Sequence, residues 1–215
     1  MSAEKFWVPL TIAVPKGRIL KALAPLFSRA GLDVGPLLAE DRRLVREDAT
    51  GRIRYVFLKP DDVPTYVEYG AADLGVAGRD TLLEKRADLY TPLDLGIGRC
   101  KLAVAGPRGK TAPDVPRVAT KYPRITAEFF AKKGIQAEVI AVSGSVELGP
   151  LVGLSDLIVD VVETGKTLDE NNLVVMETVA EVSTMLIANR AAYKLRAAEI
   201  RPLEEALRRG VGSGR

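Results

Sequence analysis

The segment Asp160-Val-Val-Glu-Thr-Gly-Lys-Thr167 combines residue types that suit a phosphorylated sugar. It ends an apolar run, Leu157 to Val162, that reads as a buried strand interrupted only by Asp160. Such a strand delivers Asp160 and Glu163 to its carboxyl end. Gly165 then lets the backbone approach a ligand closely. Exposed amides around Lys166, with the hydroxyls of Thr164 and Thr167, make a nest for a phosphate, and Thr167 is placed to open a short helix. The two carboxylates can accept from vicinal ribose hydroxyls or hold an Mg²⁺-bound group. The P-loop spacing is missing. An ordinary strand, tight turn and capped helix would read the same way from this segment alone.

A second segment, Pro15-Lys16-Gly17-Arg18, sets two cations at the start of a helix, where the backbone dipole favours anions. A bound anion accounts for that arrangement, as would a solvated loop. The pair Arg42-Arg43 says less, because adjacent arginines usually mark wet surface. Further exclusions come from composition. The chain has no histidine and one cysteine, Cys100, so Ser-His and Cys-His nucleophiles, disulfides within the chain and cysteine metal clusters are out. What remains is Asp, Glu, Lys, Arg, backbone amides and a hard cation such as Mg²⁺ held by substrate phosphates. A net charge of +3, with both signs mixed, does not call for nucleic acid. No apolar run is long enough for a membrane helix, and Met1 to Leu10 lacks the pattern of a signal peptide, so the expectation is a cytoplasmic protein.

The elements that must position these residues alternate between strand and helix. Strands are expected at Val8 to Val14, Ile53 to Leu58, Leu74 to Ala77, Leu102 to Ala105, Arg117 to Thr120, Ala137 to Val142, Leu157 to Val162 and Leu173 to Val182. Helices are expected at Ile19 to Ala30, after a cap at Asp61 or Asp62, from Asp80, at Pro123 to Lys133, after a cap at Ser145, and at Tyr193 to Arg208. The tail Gly210 to Arg215 reads as disordered. This alternation predicts an α/β fold of mainly parallel sheets flanked by helices. Gly96 to Gly98 and Ala180 to Ser183 look like two chain crossings. They predict two lobes: 1–97 plus 181–215, and 98–180 with the phosphate loop. Folds of this kind bind ligands at the carboxyl ends of strands, in the cleft.

Taken in order, these segments resemble ATP phosphoribosyltransferase in its short form. The resemblance rests on Ala13 to Leu20, Asp61 to Asp80, Asp94 to Leu102, Ala119 to Pro123, Gly144 to Val152 and Asp156 to Leu168. It implies two lobes like those of type II periplasmic binding proteins. The implied reaction joins adenine N1 of ATP to the anomeric carbon of phosphoribosyl diphosphate, with Mg²⁺, as the first step of histidine biosynthesis. By this resemblance the loop Thr164-Gly165-Lys166-Thr167 takes the 5′-phosphate and Asp160 the ribose hydroxyls. Lys16, Arg18 and Arg42 match positions around the polyphosphates, with Arg18 and Arg42 stabilising the leaving group. It further implies a homodimer that pairs with a regulatory subunit similar to histidyl-tRNA synthetase. A solute-binding or sensor module is the rival from another class. A salvage enzyme acting on free bases is less well matched, since Val161 and Val162 separate Asp160 from Glu163.

Overall fold

The computed structural model describes residues 8–212. In chain order its elements are β1 (Leu10–Pro15), α1 (Arg18–Arg29), α2 (Gly35–Leu38), β2 (Val45–Glu47), β3 (Ile53–Leu58), α3 (Val63–Glu68), β4 (Leu74–Gly78), α4 (Arg79–Lys85), β5 (Tyr90–Asp94), β6 (Cys100–Pro107), β7 (Arg117–Thr120), α5 (Pro123–Lys132), β8 (Glu138–Ala141), α6 (Leu148–Leu151), β9 (Leu157–Val162), α7 (Lys166–Glu170), β10 (Leu173–Val182), β11 (Thr184–Ala188), α8 (Arg190–Leu195) and α9 (Ala197–Gly212). The chain divides into two compact units, one running to Gly98 and resuming at Ser183, the other spanning Arg99–Val182.

The first unit holds a six-stranded sheet in the order β2-β3-β1-β4-β11-β5. Its central strand β1 buries Ile12, Ala13 and Val14 completely, as a strand covered on both faces must. On α1, Leu23, Ala24, Leu26 and Phe27 turn inward, and Gly31, at φ +78°, follows the helix end. The second unit holds a five-stranded sheet in the order β10-β6-β9-β7-β8. Leu102, Val104, Val118, Leu157 and Val159 form one side of its core.

Both sheets are mixed rather than mainly parallel. Parallel pairing joins β3, β1 and β4 in the first sheet and β9, β7 and β8 in the second. Strands β2, β5, β6, β10 and β11 pair antiparallel with their neighbours. The physical reason is connectivity. Helical crossovers bring a strand back in the same direction, whereas β10 and β11 follow each other directly and leave one sheet for the other.

Several local expectations are corrected. The single final helix is two, broken at Arg196, whose guanidinium reaches Asp73, Glu199 and the carbonyls of Val8 and Pro9. Asn189 caps α8 by accepting from the amides of Ala191 and Ala192. Asp62 and Ser145 do not cap: neither α3 nor α6 has a side-chain cap hydrogen bond, and the residue before α6 is Glu147. Gly78, not Asp80, precedes α4. Gly210–Gly212 lie in α9, and the rest of the expected disordered tail lies outside the described residues. The short elements β2, β5, β11 and α2 carry too few residues for a legible period.

Candidate active site

In the second unit, Thr120 of β7 lies level with Val159 of β9 and Ala141 of β8. All three parallel strands therefore release their carboxyl ends on one sheet edge. Strand β9 buries Leu157, Ile158 and Val159, then emerges: Asp160 is half-buried and Glu163 and Thr164 are exposed. The Asp160 carboxylate accepts from the Val161 amide at 2.8 Å, which fixes its orientation at the strand end. Gly165 sits at φ +78°, in the left-handed region that a turn into α7 requires and that other residues rarely adopt. The helix opens at Lys166, so Thr167 is its second residue rather than its cap. Leu168 anchors it in a core shared with Ala119, Val146, Ile158 and Leu173.

The loop's polar groups are left to solvent. Its internal contacts are slight: the Lys166 amide reaches Thr164 Oγ1 at 3.4 Å, and Lys166 Nζ pairs with Glu170 at 3.7 Å with both side chains exposed. The Asn171 side chain donates to the Thr167 carbonyl at 2.8 Å and closes the far end of α7. Thr164, Gly165, Lys166 and Thr167 thus form a compact turn with amides, two hydroxyls and an ammonium at its surface.

The first unit has its own edge of this kind. Strands β3, β1 and β4 end there, and Lys16, Gly17 and Arg18 follow β1 directly. Gly17 precedes α1 at φ +94° and ψ −141°, a conformation open to glycine. No acidic residue sits in the first turn of α1, and Lys16 and Arg18 set two positive charges at the end of the helix that favours anions. Both side chains are exposed.

Arg42 reaches the same edge by another route. The Leu44 carbonyl accepts from the Phe57 amide at 2.8 Å, which holds the loop before β2 against the end of β3. Within that loop Asp41 grips Arg43 through two guanidinium nitrogens, at 2.8 and 2.7 Å, and also pairs with Arg46 at 2.9 Å. The hydrogen bonds from Arg43 hold the Asp41 carboxyl down at about 2. Arg46 is fixed further by the Pro36 carbonyl at 2.6 Å and by stacking 4.4 Å from the Phe57 ring centroid. Its two neighbours are thereby tied up, whereas the Arg42 guanidinium has no partner among the described residues. Adjacent arginines in the sequence do not reveal this division of labour. Asp94 and Ser183 share this edge too, joined by a 2.9 Å hydrogen bond.

Lys16, Arg18 and Arg42 therefore gather on one sheet edge, and Asp160, Glu163 and Thr164 to Thr167 on another, in the other unit. The ATP phosphoribosyltransferase family model (HisG) matches residues 59–209. This chain belongs to that family. A Sorangium cellulosum ATP phosphoribosyltransferase is 73% identical over 208 residues, 96% of this chain and 99% of that protein. One from Geobacter metallireducens is 50% identical over 94% of this chain and 98% of that protein. Lys16, Arg18 and Arg42 lie before the family model's match. Among solved structures, a chain of the Thermotoga maritima ATP phosphoribosyl transferase (HisG:HisZ) complex superposes with a TM-score of 0.83 and 34% identity, over 95% of this chain and 99% of that one. The VFT2 domain of Bordetella pertussis BvgS superposes with a TM-score of 0.59 at 14% identity, which is a likeness of fold alone.

Proposed function

We propose that this ATP phosphoribosyltransferase divides its work between the two sheet edges. The reaction, the first step of histidine biosynthesis, moves the 5-phosphoribosyl group of phosphoribosyl diphosphate to adenine N1 of ATP. The turn Thr164-Gly165-Lys166-Thr167 holds the 5′-phosphate, and Asp160 accepts hydrogen bonds from the ribose hydroxyls, with Glu163 beside it. Lys16, Arg18 and Arg42 bind the polyphosphates. The observation that carries this reading is the exposed, glycine-turned loop at the end of β9, with a carboxylate fixed just before it.

At the anomeric carbon, a C–N bond forms to adenine N1 as the C–O bond to diphosphate breaks, and the electron pair leaves with pyrophosphate. The nucleophile is a neutral ring nitrogen, so the step needs little base catalysis, in keeping with a chain that has no histidine. The barrier lies in alignment and in charge growing on the departing pyrophosphate. Arg18 and Arg42 meet that charge with guanidinium forks, which match phosphate oxygens in pairs. Among the described residues, no three Asp, Glu, Cys or His groups gather as a metal site. Asp160 and Glu163 fit a hard cation whose other ligands are phosphate oxygens and water. Mg²⁺ bound in this way would neutralise phosphate charge during departure.

The same reading makes the chain a cytoplasmic homodimer that docks a regulatory subunit resembling histidyl-tRNA synthetase. Among the described residues, no helix is long and apolar enough to cross a membrane. The test is a coupled assay of the chain with phosphoribosyl diphosphate and Mg²⁺, offering ATP or adenine as acceptor. The expected result is ultraviolet-detected N1-ribosylated product with ATP and none with adenine. Turnover with adenine instead would overturn the choice of acceptor.

A further inference from the structure

At the edge away from the phosphate loop, the second unit holds a cavity of about 190 Å³. It lies where β7 begins at Arg117 and β9 at Leu157, with Pro107 at the end of β6 closing one side. These parallel strands start here and finish at the opposite edge. The six residues of β9, about 20 Å at the rise of a strand, therefore separate the cavity from the turn at Thr164. Every residue that lines it belongs to the second unit.

Pro107, Pro150, Leu157 and Met176 supply apolar walls. Gly106 lets two of them close over β6: a β-carbon there would stand 2.7 Å from Leu157 Cδ2 and 3.0 Å from Met176 Cε. A dry cavity of about 150 Å³ takes benzene, so this one has room for a ring or short chain with a polar head. Ser155 faces such a head. It is 4% exposed and lines the cavity, yet its hydroxyl makes no hydrogen bond among the described residues. Gly149 clears the place for it, since a β-carbon there would fall 2.5 Å from Ser155 Oγ. A buried hydroxyl without a partner is costly, and native folds seldom keep one without a use.

The charge around Ser155 is unbalanced. Asp156 Oδ2 accepts from the Arg117 amide at 2.8 Å and lies 3.5 Å from Arg117 Nε, so this carboxylate is already engaged. The terminal guanidinium nitrogens of Arg117 and the Lys110 ammonium make no hydrogen bond among the described residues. Two cations and one carboxylate leave a single positive charge. We infer that this cavity binds a small organic monoanion, a carboxylate on a short apolar body, with Ser155 Oγ donating to it and Lys110 and Arg117 balancing its charge. A dianion such as phosphate would bring one negative charge more than the site can pair. The inference stands apart from the reading of the two substrate edges.

Benzoate is the probe and benzyl alcohol its neutral counterpart, each titrated into the full chain and followed through backbone amide signals by NMR. Benzoate should move the signals of Ser155, Asp156 and Leu157, leave that of Gly165 in place, and bind about 3-fold or more tighter than benzyl alcohol. Its affinity should be unchanged in saturating phosphoribosyl diphosphate. Ser155→Ala removes an unpaired hydroxyl, so it should raise Tm while weakening benzoate by about tenfold. Lys110→Met removes an exposed charge and should weaken it by about 3-fold. Unmoved signals at Ser155, equal affinity for benzoate and benzyl alcohol, or displacement by phosphoribosyl diphosphate would each overturn the inference. So would equal benzoate affinity in the native chain and Ser155→Ala.

Discussion

At the scale of single residues, the contrast between Arg42 and Arg43 shows why charge alone does not identify a functional cation. Arg43 is spent on Asp41, and Arg46 on Asp41, Pro36 and Phe57, so the pair builds a rigid loop beneath Arg42. Arg42→Ala and Arg18→Ala should each lower the single-turnover rate by roughly 10²–10³-fold, the usual consequence of losing one preorganised donor. Near-native rates in both would remove them from the chemical step. The clamp itself has a pH signature. The Asp41 carboxyl is held at about 2 in the folded chain against an ordinary 3.8, because its charged form accepts from Arg43 and Arg46. A depressed carboxyl contributes stability above its unfolded value and loses it as pH falls toward the folded one. The clamp should therefore persist at neutral pH and open between about pH 4 and 2. Following that carboxyl by NMR checks it, and an unshifted midpoint would show that no clamp forms in solution.

At the scale of elements, the sites depend on how closely helices approach the strands that end at them. Helix α3 lies over β4 at Gly75, where a β-carbon would come within 2.7 Å of Val67 Cγ2 and 3.0 Å of Val63 Cγ1. Gly75→Ala should destabilise the chain by about 1–3 kcal/mol, the cost of overpacking a filled core. Thermal or urea unfolding measures this, and an unchanged midpoint would mean that α3 can lift away freely. The same logic explains α9 against α1, where Gly210 meets Leu26. Short elements behave differently. Helices α6 and α7 have four and five residues, too few to be stable by propensity. They hold their shape because Val146 just before α6 and Leu168 within α7 share one core cluster.

At the scale of the whole molecule, the prediction concerns assembly. The relative from Thermotoga maritima was solved as a HisG:HisZ complex, and this chain covers 99% of the chain it matches there. Light scattering on this chain alone should return twice its 23.2 kDa mass, and adding a regulatory subunit of the histidyl-tRNA synthetase type should shift the peak to a larger hetero-oligomer. A mass unmoved by the second protein would count against the partner and leave the chemistry of the two edges standing.

Long apolar runs and the turn residues that end them were legible from the amino acids alone. Strands Ile53 to Leu58, Arg117 to Thr120, Leu157 to Val162 and Leu173 to Val182 have the bounds their β-branched runs imply. The loop from Asp160 to Thr167 announces its chemistry because strand, acid, glycine and hydroxyls are consecutive. Local propensity and side-chain chemistry act over a few residues, so the sequence determines such segments by itself. The tertiary structure decided what depends on distant partners. It ran β6, β10 and β11 antiparallel, split the last helix at Arg196 so that its guanidinium could reach Asp73, and freed Arg42 by binding its neighbours. It also set Ser145, an expected cap, at φ +46° with no side-chain cap bond to α6. Those outcomes come from packing and pairing between residues far apart along the chain, which no local pattern encodes.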